Sequence, residues 1–122
     1  LYRAEIALTQ ALARHGITHV FNSWDAMPPV SEQMALLGSQ TNPELVAARF
    51  LLKPGRKYED AVKTFHPYGQ TKEINKEARK AGAELIKEGK TAGAKKKTLI
   101  FVNNRLEGNA LNTIAAMIAG SA

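Results

Sequence analysis

Hydrophobic positions along this chain switch between helical and strand spacing, and the switches fall at glycine, proline and asparagine. Ala4 to His15 carries Ile6, Leu8, Ala11 and Leu12 on one stripe, the pattern of an amphipathic helix. His15 and Gly16 are a fitting end, a cation at the negative pole of the helix followed by a residue free to turn left-handed. Ile17 to Phe21 then reads as a strand that ends in the polar run Asn22-Ser23-Trp24-Asp25. Met27-Pro28-Pro29-Val30 is an extended loop, since neither proline tolerates a helix interior. Ser31 opens a short helix that Gly38 ends, and Asn42-Pro43 marks a turn.

Glu44 to Leu52 is ambiguous by period alone. Pro43 and Lys53-Pro54-Gly55 leave only a short span between breakers, which predicts a strand. Tyr58 to Phe65 is a short helix closed by His66-Pro67-Tyr68-Gly69. Glu73 to Lys90 is a long one, with Ile74, Ala78, Ala81 and Leu85 on its buried face. Gly82 inside it costs about 1 kcal/mol relative to alanine, so close packing against a neighbour is expected there. Lys90 to Lys97 is a lysine-rich surface loop. Thr98 to Val102 is a short apolar run, expected to be a strand covered on both faces. Asn103, Asn104 and Arg105 end it, Gly108 breaks the chain, and Asn109 caps a helix from Ala110 to Ala119.

Strands followed by helices give an α/β fold in a single domain, residues 1–122, with three parallel strands and flanking helices. Three strands cannot close a barrel and leave two edges unpaired, so the sheet is expected to be open. Ligands of such sheets sit at the carboxyl ends of the strands. A further segment or another protein chain is expected to complete the sheet.

The 44% apolar content suffices for a core, and the absence of cysteine excludes disulfides, thiolate metal ligands and thiol nucleophiles. A cysteine-free chain suits the cytoplasm, the expected compartment. No apolar run approaches the roughly 18 residues of a membrane span, and the first residues are no signal peptide. The chain opens in helix-like sequence without Met, which suggests a piece of something longer. The net charge of +6 is uneven: Lys53 to Lys97 holds 13 of the 17 Lys and Arg against 6 of the 11 Asp and Glu, a local +7 beside −1 elsewhere. That segment reads either as a solvated helix and loop or as a surface for nucleic acid or another polyanion.

Candidate chemistry gathers at the strand ends. Val20, Asn22 and Trp24 share one side of the first strand, and Ala47, Arg49 and Leu51 share one side of the second. Arg49 interrupts an apolar strand. A guanidinium there either binds a carboxylate, phosphate or sulfate bidentately or makes a structural ion pair. Asn22, Asn103 and Asn104 carry no titratable group, so they orient a ligand or bond to loop backbone. Trp24 stacks on a ring or packs beside Pro28 and Pro29. Asp25 and Glu107 follow strand ends and are the candidate acid and base. His19 reads as a packing residue and His66 as part of a turn; the three histidines lack ligand spacing, which argues against a metal site. No Gly-rich phosphate loop is present, and the sequence identifies no cofactor.

His19-Val20-Phe21-Asn22-Ser23-Trp24, Met27-Pro28-Pro29, Leu52 to Glu59, Phe65-His66-Pro67-Tyr68 and Phe101 to Ala110 together resemble, in order, the carboxyl-terminal part of the domain-of-unknown-function 72 (YecE-like) family. The resemblance runs from about Gly16 onward, and Asn-Asn-x-x-x-Gly-x-Ala is its most specific part. Members are similar to TIM barrels, and their biochemical function is generally unassigned. The resemblance implies a partial TIM-like barrel, a carboxyl-terminal fragment holding the last three or so βα units of a barrel that ordinarily takes about 250 residues. An enzyme or enzyme remnant with a small polar or anionic ligand is the first functional expectation. A polyanion-binding module and a structural fragment without activity are the alternatives.

Overall fold

The computed structural model of the protein describes residues 2–122, with side chains from Ile6 onward. Helix α1 (Tyr2–Arg14) ends where Gly16 takes a φ of +65° and Ile17 N–H bonds back to the Leu12 carbonyl at 2.9 Å. Strand β1 (Val20–Ser23), helix α2 (Val30–Ala35), strand β2 (Leu45–Phe50), helices α3 (Tyr58–Phe65) and α4 (Lys76–Ala92), strand β3 (Lys97–Val102) and helix α5 (Ala110–Gly120) follow. The strands lie in chain order, β1-β2-β3, and both neighbouring pairs are parallel. The result is an open three-stranded parallel sheet with flanking helices, not closed into a barrel.

One face of the sheet carries the core. Val46, Ala48 and Phe50 of β2 point toward the helices with Phe21 of β1, and they meet Ala78, Ala81 and Leu85 of α4, Met117 of α5 and Val30 of α2. Phe21 and Phe50 are fully buried, a contribution of about 1.5–3 kcal/mol each. Helices α4 and α5 approach closely because position 82 is glycine: a Cβ there would collide with the Met117 side chain. A satellite cluster of Leu52, Ala61 and Phe65, with Tyr68 against it, fastens α3 near the carboxyl end of β2.

Among the described residues the opposite face is open at Val20, Arg49, Leu99 and Phe101, while Ala47 on it is buried. Strand β3 was expected to be buried on both sides, yet Leu99 and Phe101 are 45% and 57% exposed while Ile100 and Val102 pack on the core. An apolar run reads the same whether one face or both are covered, so only tertiary packing separates the cases.

Element ends differ from expectation for equally physical reasons. Strand β1 begins at Val20 rather than Ile17, because the Thr41 hydroxyl takes His19 N–H at 2.7 Å and donates to the Ile17 carbonyl at 2.6 Å. Helix α4 begins at Lys76 rather than Glu73: the N–H groups of Lys72 and Glu73 bond to the Glu107 carbonyl, and Asn75 caps the Ala78 N–H at 3.0 Å. Ile74 therefore leaves the buried stripe and is 57% exposed. The same helix runs on to Ala92 and a 3-10 turn at Gly93–Lys95, where a loop was expected. Helix α2 spans Val30–Ala35 and stops short of Gly38.

Candidate functional site

Register places the predicted residues on the uncovered face in two rows. Val20, Ala47 and Leu99 align across the strands, and one step toward the carboxyl ends Asn22, Arg49 and Phe101 align. The Arg49 side chain is thus flanked by an amide on one side and an aromatic ring on the other. It is exposed and meets no carboxylate or hydrogen-bond partner among the described residues. The ion pair that would hold it structurally is not found there. Asn22 Oδ1 is buried without a hydrogen-bond partner.

Asn103 extends the ladder of β3, its N–H on the Phe50 carbonyl at 2.9 Å. Its Oδ1 accepts from Arg105 N–H at 2.9 Å, and Asn104 Oδ1 accepts from Ala110 N–H at 2.8 Å. Both carbonyl oxygens therefore shape the loop, and the amide nitrogens remain as donors. Trp24 follows β1 directly with its indole partly exposed.

The two candidate acids sit in unlike places. Asp25 pairs with Lys57 at 2.7 Å, and this hydrogen bond and charge raise the ammonium pKa above its ordinary value. Glu107 is wholly buried. Its carboxylate accepts from Arg79 Nε at 2.8 Å, Arg79 Nη2 at 2.9 Å, Asn75 N–H at 2.7 Å and the Thr113 hydroxyl at 2.6 Å. All its oxygens serve to join the start of α4 to the β3–α5 loop and α5. Gly108 beside it has a φ of +117°, and a Cβ there would lie 2.5 Å from the Gln70 carbonyl oxygen.

Basic side chains crowd the loops at the carboxyl ends. Arg56 holds Glu73 at 2.7 Å and lies 5.1 Å from the Phe65 ring centroid, while Lys53 reaches Glu73 at 3.4 Å. The Arg56 hydrogen bond, and then the charges of both cations, keep the Glu73 carboxyl below its ordinary pKa. Arg105 stacks 4.7 Å over Tyr58. His19 meets Phe21 edge-to-face at 5.2 Å, and burial lowers its pKa. His66 precedes a cis proline in the turn after α3.

Sequence reasoning missed Gln33, Thr41 and Arg79. Each acts through a partner distant in the chain, so no local pattern marks them.

Among the described residues no cluster of three or more His, Asp or Glu is placed to hold a metal ion, and no helix is long and apolar enough to cross a membrane. Fold and site together define an open parallel α/β sheet with polar residues near its strand ends. No family model matches the chain, and neither a curated protein nor a solved structure matches it.

Proposed function

We propose that the chain binds a small anionic or polar ligand on the uncovered face at the carboxyl ends of its strands, as part of a TIM-like barrel related to the domain-of-unknown-function 72 family. One observation carries the reading: Arg49 stands on an apolar sheet face with no carboxylate partner among the described residues, in register with Asn22. An unpaired guanidinium held between an amide and a ring favours a carboxylate, phosphate or sulfate, which it binds bidentately. The amide nitrogens of Asn103 and Asn104 supply further donors, and Trp24 supplies a flat apolar surface. Asp25 is the acid/base candidate that keeps partial exposure, with a side chain 22% exposed. Glu107 acts by holding the loop that carries the asparagines.

Substituting Met for Arg49 keeps length and apolar bulk while removing the charge. Titration of the wild type with phosphate, sulfate and a small carboxylate, followed by calorimetry, should show binding that Arg49→Met weakens at least tenfold. A folded Arg49→Met variant that binds all three anions undiminished places the site elsewhere.

A second reading rests on Lys63, Lys76, Lys80, Lys87, Lys95 and Lys97, which are exposed and unpaired among the described residues. They form the part of the basic segment open to a polyanion. Binding of a nucleic acid there should weaken more steeply as salt rises than binding of one small anion at Arg49, because more phosphates are neutralised.

A further inference from the structure

Four arginines follow β1 in the chain. Arg56 and Arg79 are paired with Glu73 and Glu107, whereas Arg49 and Arg105 meet no carboxylate among the described residues. Arg105 is held all the same. Its guanidinium lies 4.7 Å from the ring centroid of Tyr58, the half-exposed residue that opens α3. Its backbone N–H donates to Asn103 Oδ1 at 2.9 Å, and Asn103 N–H donates to the Phe50 carbonyl at 2.9 Å. Two hydrogen bonds thus tie Arg105 to the residue that follows Arg49. The ring beneath it is fixed as well: Lys57, just before Tyr58, reaches Asp25 at 2.7 Å, and Gly55 N–H bonds to the Asp25 carbonyl at 2.9 Å. The loops after β1, β2 and β3 therefore meet at the start of α3.

Stacking and ion pairing use different parts of a guanidinium. A ring covers the flat face, while the N–H donors lie in the plane around the edge. Arg105 has its face on Tyr58 and its edge donors unmet among the described residues. Glu59 and Asp60, which follow Tyr58 in the first turn of α3, do not pair with it. A cation held by its face with its edge open is preorganised for a carboxylate or phosphate lying in its plane.

We propose that Arg105 is a second anion-binding residue at the carboxyl ends of the strands, and that the ligand carries two anionic groups. This rests on the Arg49 reading and deepens it by naming the ligand class. Arg49 aligns with Phe101, and Asn103 lies two residues, about 7 Å, further along β3. Arg49 takes the anionic group that enters between the strand ends. Arg105 takes the one nearer the loops, and Asn103, whose Oδ1 is spent on Arg105 N–H, keeps an amide donor beside them. A dicarboxylate or a phosphorylated carboxylic acid has this form. Its second group binds as an intramolecular event once the first is held, so it gains affinity over a single small anion.

Calorimetric titration at one fixed ionic strength with acetate, succinate, adipate and suberate tests this. The readout is a ratio taken on each variant, the affinity of the best dicarboxylate over that of acetate. In the wild type the ratio should be at least tenfold, and Arg105→Met should bring it down to about twofold. Arg105→Lys keeps the charge without the planar fork and should lose most of the ratio, which decides the matter should Arg105→Met fail to fold. Arg14→Met removes one exposed charge from α1 and should keep the ratio, because general attraction to a chain of net charge +6 is not its source. A wild-type ratio under tenfold overturns the proposal. So does a tenfold ratio that survives in folded Arg105→Met or Arg105→Lys, or one that Arg14→Met lowers equally. In each of those cases, acetate binding that Arg49→Met weakens leaves the Arg49 reading standing. Acetate and dicarboxylates that bind Arg49→Met as well as the wild type overturn both readings.

Discussion

Arg79 clasps Glu107 through two parallel hydrogen bonds, Nε to Oε2 at 2.8 Å and Nη2 to Oε1 at 2.9 Å, although 28 residues separate them. The carboxylate is fully buried and the arginine side chain one-quarter exposed, so the pair draws little screening from water. Removing the arginine leaves a charge in the interior. Arg79→Ala should destabilise the fold by about 3–5 kcal/mol in urea titration, the range for breaking a buried pair. Glu107→Gln keeps shape but gives up the charge and mispairs a donor against the arginine and Asn75 N–H, and it should cost about 1–3 kcal/mol. If Glu107 served only chemistry, both variants would lose activity and keep their stability.

The contact between Gly82 and Met117 makes a second prediction. Gly82→Ala would ordinarily stabilise a helix by about 1 kcal/mol. Here the added methyl meets a buried methionine, and overpacking costs about 1–3 kcal/mol. The net effect should be zero to about 2 kcal/mol of destabilisation by chemical denaturation. Shortening the partner in Gly82→Ala/Met117→Val should recover part of that loss, because the two changes share one volume.

A pH dependence follows from His19 and Glu73. Burial holds the His19 pKa below its ordinary 6.5, so the unfolded chain binds the proton more readily than the folded one. The stability from neutral His19 is complete above pH 6.5 and is lost as pH falls through that value toward the folded pKa. Glu73, depressed below its ordinary 4.5 first by the Arg56 hydrogen bond, adds a loss of the same sign below about pH 4.5. Unfolding followed from pH 8 down to about pH 2 should show stability declining in two stages. His19→Gln should remove the upper stage and leave the lower one, and equal slopes in the two proteins between pH 7 and pH 5 would refute the assignment to His19.

The sequence by itself determined the elements and their direction. Pro43 and Lys53-Pro54-Gly55 confine Leu45–Phe50 to a length that suits a strand, Asn109 caps α5 through Asn112 N–H at 3.1 Å, and helices between the strands make all three parallel. The close approach at Gly82 was also legible, because glycine in a helix interior needs a packing reason. These signals act within a few residues, so a local pattern records them. Only the tertiary structure decided which face of β3 stays open, where β1 and α4 begin, and that Glu107 is a buried tie. Alternation assigns Arg49 and Phe101 to a face but cannot say whether anything lies over it. Gln33 meets the Asn22 N–H from 11 residues away, and Glu107 sets the start of α4 from 32 residues away through Asn75 N–H. A hydrogen bond between distant segments leaves no periodicity in either one, and it exists only once the packed core has brought them together.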